Sequence, residues 1–490
     1  MQKQGHKDRL SAIDASFLAQ EKQASHMHVG ALVKFDGPPP SREDLSDHVE
    51  SRLHLVPRYR QKLAFPRLEM GRPFWVDDPQ FNMDYHLRHT ALPSPGSDEQ
   101  LRQLVGRIFS QRLDRSRPLW ELWLVQGLED GGFALISKTH HALVDGVSGV
   151  DIATVLFDLQ PTPAKIDAEP WQPQPEPSDA ALVAEGVRGM VRTPVGVAGR
   201  ALRAVTSPGR ALGEVREAAE GVGEIVWAGL NPAPDVPLNV PIGPHRRLFW
   251  VQSRLADFKE IKDALGGTVN DVVLAVVAGG LERWLATRGI RREGLELRAL
   301  VPVSIRAQDE HGALGNRIAA MRGPLPVYAP GPVERLRLVQ ESMGHLKESK
   351  QALGAEVIAG LQDFAPPTLL AQASRINFST RLFNLIVTNV PGPQFPLYLL
   401  GREMEELVPI AFLPENHALA IAIMSYNGRL DFGLLGDYDA MPDLEAFAGM
   451  LEDSLDELLK AARRKSGRSK TRSGKRSTNS RSTAAKAQTR

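Results

Sequence analysis

Two adjacent histidines, His140 and His141, are the side chains in this sequence whose type and spacing most directly suggest chemistry. They lie in SKTHHALVDGVSG (137–149), five and four residues ahead of Asp145. An imidazole with an ordinary pKa of about 6.5 can accept and return a proton near neutral pH, so one ring could serve as a general base. The pair could also belong to a metal site, or could simply pack as two ring residues.

The histidines end FALISKTHH (133–141), whose pattern predicts a β-strand. Because successive side chains of a strand point to opposite faces, His140 and His141 are predicted to face different sides and not to chelate one ion. No H-E-x-x-H pattern is present and no H-x-D pattern adjoins the pair, so no metal site is predicted. The remaining interpretation is one base, His141, with His140 packed behind it.

Several motifs of other reactions fail in this sequence. Residues 146–149 begin a nucleophile elbow, but Val150 stands where its last glycine is needed. Ser148 is therefore predicted to begin a helix and not to act as a nucleophile. No P-loop or complete dinucleotide loop is present, and Asp431-Phe432-Gly433 is a strand segment without a kinase catalytic loop. Cysteine is absent, which removes thiolate nucleophiles and disulfides.

The elements around the histidines predict a first α/β segment. Strands are expected at 28–37, 119–128 and 132–141, and helices at 41–57 and 98–113, where apolar residues recur at helical spacing. A second α/β segment has strands at 297–306, 383–393, 417–428 and 429–437, a helix at 268–289 and a closing helix from 441. Asp145 and Gly146 follow the histidine strand, where the carboxylate could pair with an arginine and the glycine permits a sharp exit.

A different composition separates the two segments. Residues 160–179 are rich in proline and predict a linker, and 180–229 are rich in Ala, Val, Arg and Gly. The latter block could be a helical crossover on the protein surface or a basic amphipathic element on a membrane. At 490 residues, two domains are expected. The predicted divisions are 1–160, 161–247, 248–460 and a tail, 461–490.

The charges of the chain are unevenly distributed. Of its 59 Lys and Arg residues, 11 lie in 463–490, which has no acidic residue, and the other 48 stand against 58 acids. An acidic body argues against general nucleic-acid binding, and the tail composition predicts disorder. The tail could be a solubilising segment, an attachment to anionic membranes or a nucleic-acid contact. No secretory signal and no transmembrane run of about 18 residues are found.

The motif HHALVDG resembles the H-H-x-x-x-D-G motif of chloramphenicol-acetyltransferase-like acyltransferases that use CoA or carrier thioesters. Over about residues 9–460, the chain resembles the bacterial bifunctional wax ester synthase/diacylglycerol acyltransferase family. The resemblance rests on blocks in matching order: LSAIDASFL, MHVGAL, PRYRQKL, RPLWELWLVQGL, the histidine motif, PLNVPIGPHRR, TVNDVVLAVVAGGLERWL, VPVSIR, LGNRI and TNVPGP.

The resemblance implies an α/β (α+β) fold of two chloramphenicol-acetyltransferase-like domains with mixed sheets flanked by helices. A long crossover would join them and an active-site tunnel would run between them. It also implies that His141 is the general base and that Asp145 and His140 are its motif partners. Residues that would contact substrate or maintain the fold are Gly146, Pro118, Leu119, Trp120, Asn270, Asp271, Ser304 and Arg306. Asn270, which is expected to open a helix, could cap it or donate to an oxyanion.

The activity implied by the resemblance is O-acyl transfer from acyl-CoA, a co-substrate, to diacylglycerol or a long-chain alcohol. No cofactor is expected. Both acceptors reside in membranes, so a cytoplasmic chain attached peripherally to a membrane or lipid droplet is expected. Two alternatives stay open. One is a related enzyme that takes its acyl group from a carrier protein, and the other is a non-catalytic lipid-droplet surface protein on the same scaffold.

Overall fold

The computed structural model describes residues 7–66, 72–144, 155–182, 184, 231–304, 318–348 and 379–486. Asp145, Gly146 and Arg306 lie outside the described residues, as does the predicted helical crossover except at its ends. The Pro-rich segment 161–178 forms neither helix nor strand, in agreement with the linker predicted over 160–179.

The described residues form fifteen strands and nine α-helices, numbered in chain order. The strands are β1 (Lys7–Arg9), β2 (His28–Phe35), β3 (Gln61–Ala64), β4 (Phe74–Asp77), β5 (Leu87–Ala91), β6 (Trp120–Gln126), β7 (Phe133–His140), β8 (Arg246–Arg254), β9 (Leu297–Ser304), β10 (Ile318–Leu325), β11 (Leu385–Pro391), β12 (Tyr398–Leu399), β13 (Arg402–Ile410), β14 (Leu419–Tyr426) and β15 (Arg429–Asp437). The helices are α1 (Ala12–Gln20), α2 (Arg42–Glu50), α3 (Met83–His86), α4 (Asp98–Phe109), α5 (His141–Val144), α6 (Leu255–Leu265), α7 (Val269–Thr287), α8 (Pro332–Glu348) and α9 (Leu444–Lys486).

Two mixed six-stranded sheets form the framework. The first has the order β12-β13-β2-β7-β6-β5, with β5 parallel to β6, and the second has the order β10-β9-β11-β14-β15-β8, with β11 parallel to both of its neighbours. A three-stranded sheet, β1-β4-β3, accompanies the first. Two pairs of consecutive predicted strands form hairpins. β6 pairs with β7, and β14 meets β15 at Asn427-Gly428, where both residues have positive φ as a type I′ turn requires.

The first sheet is completed by strands from the second segment. β12 and β13 follow β11 in the chain, yet β13 pairs with β2, so the predicted domain boundary at 248–460 is wrong for residues 398–410. β13 also packs against β15 of the second sheet. A Cβ atom on Gly433 would lie 1.8 Å from the Pro409 carbonyl oxygen, so only glycine permits this approach. β13 covers the edge of the first sheet, because without it the backbone N–H and C=O groups on one side of β2 would have no strand partner.

The apolar core is continuous between the two sheets. One cluster joins Leu104 of α4, Leu248 of β8 and Phe412 after β13 to Phe17 of α1. A second surrounds α7, whose side chains Val272, Val273, Val276, Val277, Leu281 and Leu285 are buried as their spacing predicts. Within the described residues no single helix is long and apolar enough to span a bilayer, although the bent pair α6 and α7 passes that criterion jointly.

Two helices end earlier than predicted, and the tail differs from its prediction. The helix predicted over 41–57 ends at Glu50, with Ser51 as its C-cap, and is followed by the 3-10 turns Leu53–Leu55 and Pro57–Arg60. The helix predicted over 98–113 ends at Phe109, with Ser110 as its C-cap. The tail predicted as disordered continues α9 as far as Lys486. Its Lys, Arg and Ala residues have good helix propensity even though they supply no apolar face.

Candidate active site

His141 lies at the junction of β7 and α5. The strand ends at His140 and a helical turn begins at His141, so the prediction that both histidines belong to the strand is wrong by one residue. The backbone N–H of His141 donates to the Met27 carbonyl oxygen at 2.8 Å. This bond extends the β2–β7 pairing by one residue, because Met27 precedes His28, the partner of His140.

Two aromatic rings enclose the partly buried imidazole of His141. The Phe17 ring lies 4.0 Å from it at 31°, and the Phe412 ring lies 5.4 Å from it at 85°. Phe17 is on α1 and Phe412 follows β13, so elements from both ends of the chain position one ring. Aromatic faces restrict the orientation of the imidazole and exclude water from its sides.

His140 is buried to 1% exposure on the opposite side. Its Nδ1 accepts the Ala142 backbone N–H at 3.1 Å, which places the ring proton on Nε2. That Nε2 lies 3.7 Å from Glu21 Oε2. Burial lowers the pKa of His140, so this ring is neutral at pH 7. His140 therefore braces the turn that carries His141.

Glu21 is the buried anion behind this histidine. Arg115 donates to its Oε2 from Nε at 2.7 Å and from Nη2 at 2.5 Å, and His28 Nε2 lies 3.5 Å from its Oε1. Burial alone would raise the pKa of Glu21. The adjacent His140 and His28 rings and the charge of Arg115 outweigh it and hold the pKa of Glu21 well below its ordinary value. Glu21 is thus ionised. Within the described ranges, no group of three His, Cys, Asp or Glu side chains is placed to hold a metal ion.

The last turn of α1 places Phe17 and Glu21 beside the two histidines. Ser11 caps the helix by accepting the Asp14 N–H, and Glu21 follows the last helical residue, its N–H donating to the Phe17 carbonyl oxygen at 3.1 Å. Residues four apart on a helix share a face. Phe17 therefore reaches the His141 ring while Glu21 reaches His140.

The Pro118-Leu119-Trp120 block supports the other edge of β7. The Leu119 carbonyl oxygen accepts the His140 N–H at 3.0 Å, and Trp120 pairs with Thr139. The Trp120 indole donates to the Tyr59 carbonyl oxygen at 2.7 Å and stacks on His86 at 4.5 Å. These contacts of Leu119 and Trp120 are packing and backbone contacts that fix the strand.

The Asn270-Asp271 pair begins α7, but Asn270 is not its cap. Thr268 caps the helix, accepting the Asp271 N–H while the Asp271 carboxylate accepts the Thr268 N–H. The Asn270 Oδ1 instead accepts from Asn389 Nδ2 at 3.2 Å, which joins the TVND block to TNVPGP. The described contacts do not bring this pair to His141, and Ser304 closes β9 as a backbone position.

Comparisons with known proteins agree with this architecture. A family model described as "Wax ester synthase/diacylglycerol acyltransferase catalytic domain" matches residues 10–273, and one described as "WS/DGAT C-terminal domain" matches 314–459. Together they cover more than half of the chain. The chain belongs to the wax ester synthase/diacylglycerol acyltransferase family.

Relatives and solved structures extend the match to nearly the whole length. The "Probable diacyglycerol O-acyltransferase tgs1" of Mycobacterium tuberculosis strain H37Rv is 31% identical over 94% of this chain and 97% of its own. The tgs2 protein of the same strain is 33% identical over 93% and 99%. The wax ester synthase/diacylglycerol acyltransferase of Marinobacter aquaeolei VT8 has 27% identity and a TM-score of 0.66 over 93% and 99%.

A condensation domain of the calcium-dependent antibiotic synthetase shares the fold at 15% identity, with a TM-score of 0.55 over 93% of this chain and 96% of its own. The chloramphenicol-acetyltransferase-like two-domain fold with mixed sheets is thereby confirmed.

In this member of the acyltransferase family, the predicted site was incomplete at α1. Glu21, Phe17 and Phe412 were not predicted, although LSAIDASFL is one of the blocks that carry the resemblance. The spacing of Phe17 and Glu21 on one helix face was the available signal. No sequence pattern pointed to Phe412, because this residue reaches the site only through the pairing of β13 with β2.

Proposed function

We propose that this enzyme transfers a long-chain acyl group from acyl-CoA to the hydroxyl group of diacylglycerol or a long-chain alcohol, with His141 as general base. The observation that carries the proposal is the partly exposed His141 ring enclosed by Phe17 and Phe412, with the neutral His140 buried behind it. A base needs such access to substrate on one side and fixed support on the other.

The proposed acyl transfer needs one proton transfer, the formation of a C–O bond and the cleavage of a C–S bond. His141 takes the proton of the acceptor hydroxyl as its oxygen attacks the thioester carbonyl carbon, forming the new C–O bond. The tetrahedral intermediate collapses with cleavage of the C–S bond. CoA thiolate leaves readily because a thiol pKa is only about 8.5, and it recovers the proton from the His141 imidazolium.

Glu21 acts through His140 and not on substrate. Its charge is neutralised by Arg115, and it lies 3.7 Å from the His140 Nε2, which favours the proton on that nitrogen and leaves Nδ1 to accept the Ala142 N–H. Ala142 is adjacent to His141, and the first turn of α5 is thereby fixed. Orientation of this kind lowers a barrier by keeping the base aligned with its proton.

The acceptors are apolar, so the enzyme must work at a bilayer or lipid-droplet surface. The basic tail supports this part of the proposal, since 463–490 carries 11 Lys and Arg and no acid. Each basic residue near an anionic surface contributes about 1 kcal/mol of attraction. The names of the mycobacterial relatives support diacylglycerol as one acceptor.

The test is acceptor-dependent release of CoA thiol. Purified enzyme with palmitoyl-CoA should release thiol when dipalmitoylglycerol or hexadecanol is present, with one ester formed per thiol, and should not release it without acceptor. Mass spectrometry of the product identifies the acceptor used. Thiol release that needs no acceptor and forms no ester would contradict the proposal.

A further inference from the structure

A basic cleft opens where α4 meets β8 and the beginning of α9. Its volume is about 880 Å³, and its walls come from both segments of the chain. Four arginines line it, Arg102, Arg107, Arg246 and Arg247, against two exposed glutamates, Glu99 and Glu445. Because the chain outside its tail carries more acidic than basic residues, this excess of positive charge distinguishes the cleft.

Among the described residues, no carboxylate lies within hydrogen-bonding distance of three of the arginines, which other contacts hold in place. Arg102 lies over the Phe249 ring at 4.3 Å and Arg247 over the Tyr438 ring at 3.8 Å. Arg246 is 4% exposed and donates to the carbonyl oxygens of Gly243 and His245, with Asp437 at 3.8 Å. Burial lowers the pKa of Arg246 to about 10, so its charge persists at pH 7.

The fourth arginine is available. Arg107 projects from α4 as an exposed side chain, and within the described parts of the chain it makes no ion pair or hydrogen bond. Glu99, which lies on the same helix, accepts a hydrogen bond from Gln103 at 3.3 Å. Guanidinium groups fixed on aromatic rings beside a free one suit phosphate groups, which accept paired hydrogen bonds.

Hydrogen bonds and apolar packing connect the inner wall of the cleft to the residues around His141. Ser110, which lines it, accepts the Arg246 backbone N–H at 2.9 Å, and the Arg246 guanidinium donates to the Ala24 carbonyl oxygen. Three residues further along the chain, Met27 accepts the His141 N–H. Three residues span at most about 10 Å. Lining residues Leu104 and Leu248 also belong to the apolar cluster that contains Phe17 and Phe412.

We propose that this cleft binds the phosphate-bearing nucleotide end of the acyl-CoA donor, with Arg107 and Arg247 as its phosphate contacts. The inference rests on the proposed function, because it assigns a place to that donor. A phosphate-bearing end would lie in the basic cleft while the narrow thioester arm follows the apolar wall toward His141. The arginines of the cleft match the phosphates of this substrate, and the buried apolar side of the cleft adjoins the cluster that holds Phe17 and Phe412.

The experiment compares two donors that differ only in the nucleotide. Palmitoyl-CoA and palmitoyl-pantetheine are assayed with the wild-type enzyme, Arg107→Glu and the control Arg291→Glu, an exposed arginine far along the chain from the cleft. We expect the ratio of kcat/KM for palmitoyl-CoA over palmitoyl-pantetheine to fall by at least about tenfold in Arg107→Glu. The ratio should stay at the wild-type value in Arg291→Glu.

A binding measurement separates this inference from the proposed function. Calorimetric titration with CoA should show affinity weakened at least about tenfold in Arg107→Glu, whether or not the protein turns over. Turnover of palmitoyl-CoA with an unchanged donor ratio and unchanged CoA affinity would overturn the cleft assignment alone. Loss of phosphatidylglycerol vesicle binding in Arg107→Glu, with CoA affinity kept, would assign the cleft to a lipid headgroup and equally overturn it.

Discussion

Glu21 Oε2 lies 3.7 Å from His140 Nε2, with each side chain about 1% exposed, and this contact is the second layer of the site. It connects the end of α1 to the end of β7, and through the Ala142 N–H it reaches the turn that presents His141. The second layer holds an ionised carboxylate beside a neutral imidazole, and neither is placed to touch a substrate.

Replacing Glu21 should impair catalysis more than binding. We expect Glu21→Ala to lower kcat by about 10- to 100-fold through misorientation of His141, and Glu21→Gln by less because its amide oxygen still accepts. KM for both substrates should change by less than about twofold. Glu415→Gln, which removes an exposed carboxylate paired with Lys22, is the control. Wild-type kcat in folded Glu21→Ala would refute the positioning role.

The aromatic enclosure of His141 should be measurable by itself. Phe17→Leu keeps most of the volume but removes the ring contact, which is worth about 0.5–1.5 kcal/mol. We therefore expect kcat/KM to fall by about 2- to 10-fold, with a loss of about 1 kcal/mol in the free energy of urea unfolding that leaves the variant folded. Phe395→Leu removes a ring that is 48% exposed and should have no effect. Equal kinetics for the two variants would show that Phe17 does not orient the base.

The buried His86 predicts a pH-dependent stability. Burial lowers its pKa from 6.5 to about 4, so folding favours the neutral ring. Its stabilisation is complete above pH 6.5 and is lost as pH falls, at about 1.4 kcal/mol per unit. Between pH 7 and 5, His86→Gln should therefore remove about 2 kcal/mol of the pH dependence of unfolding. The exposed His345→Gln should leave that slope unaltered, and an unaltered slope in both variants would contradict the prediction.

The tail should govern attachment to anionic surfaces. Truncation after Gly467 removes eight Lys and Arg residues but keeps Arg463, which is paired with Glu260. Sedimentation with phosphatidylglycerol vesicles should fall at least about tenfold, while the small fraction bound to phosphatidylcholine stays the same. A full-length variant with these eight residues changed to Gln is the matched control for length. Unchanged sedimentation of both would exclude the electrostatic role.

Local patterns predicted the elements but not the exchange between the sheets. The hairpin of β6 and β7 and the turn at Asn427-Gly428 follow from alternation and turn chemistry. β13, by contrast, reads as an ordinary strand of the second segment, and its pairing with β2 is a long-range contact that no local pattern specifies. Phe412 therefore could not have been predicted beside His141.

The same distinction holds within the site. Strand alternation predicted different surroundings for His140 and His141. In the structure His140 is buried and His141 is partly exposed, but the difference arises because the strand ends at His140 and a helix begins at His141. The carboxyl group of Glu21 could not be assigned, because buried charges depend on partners such as Arg115 that are distant in sequence. Asn270 was expected as a possible cap, but Thr268 two residues earlier satisfies that need.

The central claim, that His141 is the general base, is tested most directly by His141→Ala in the acceptor-dependent thiol assay. With palmitoyl-CoA and dipalmitoylglycerol or hexadecanol, kcat should fall by about 10²- to 10⁴-fold, the range lost with a positioned base. His89→Ala, on the exposed face of β5, should retain wild-type kcat. Circular dichroism must show both variants folded. A folded His141→Ala enzyme with kcat within about threefold of wild type would contradict the account.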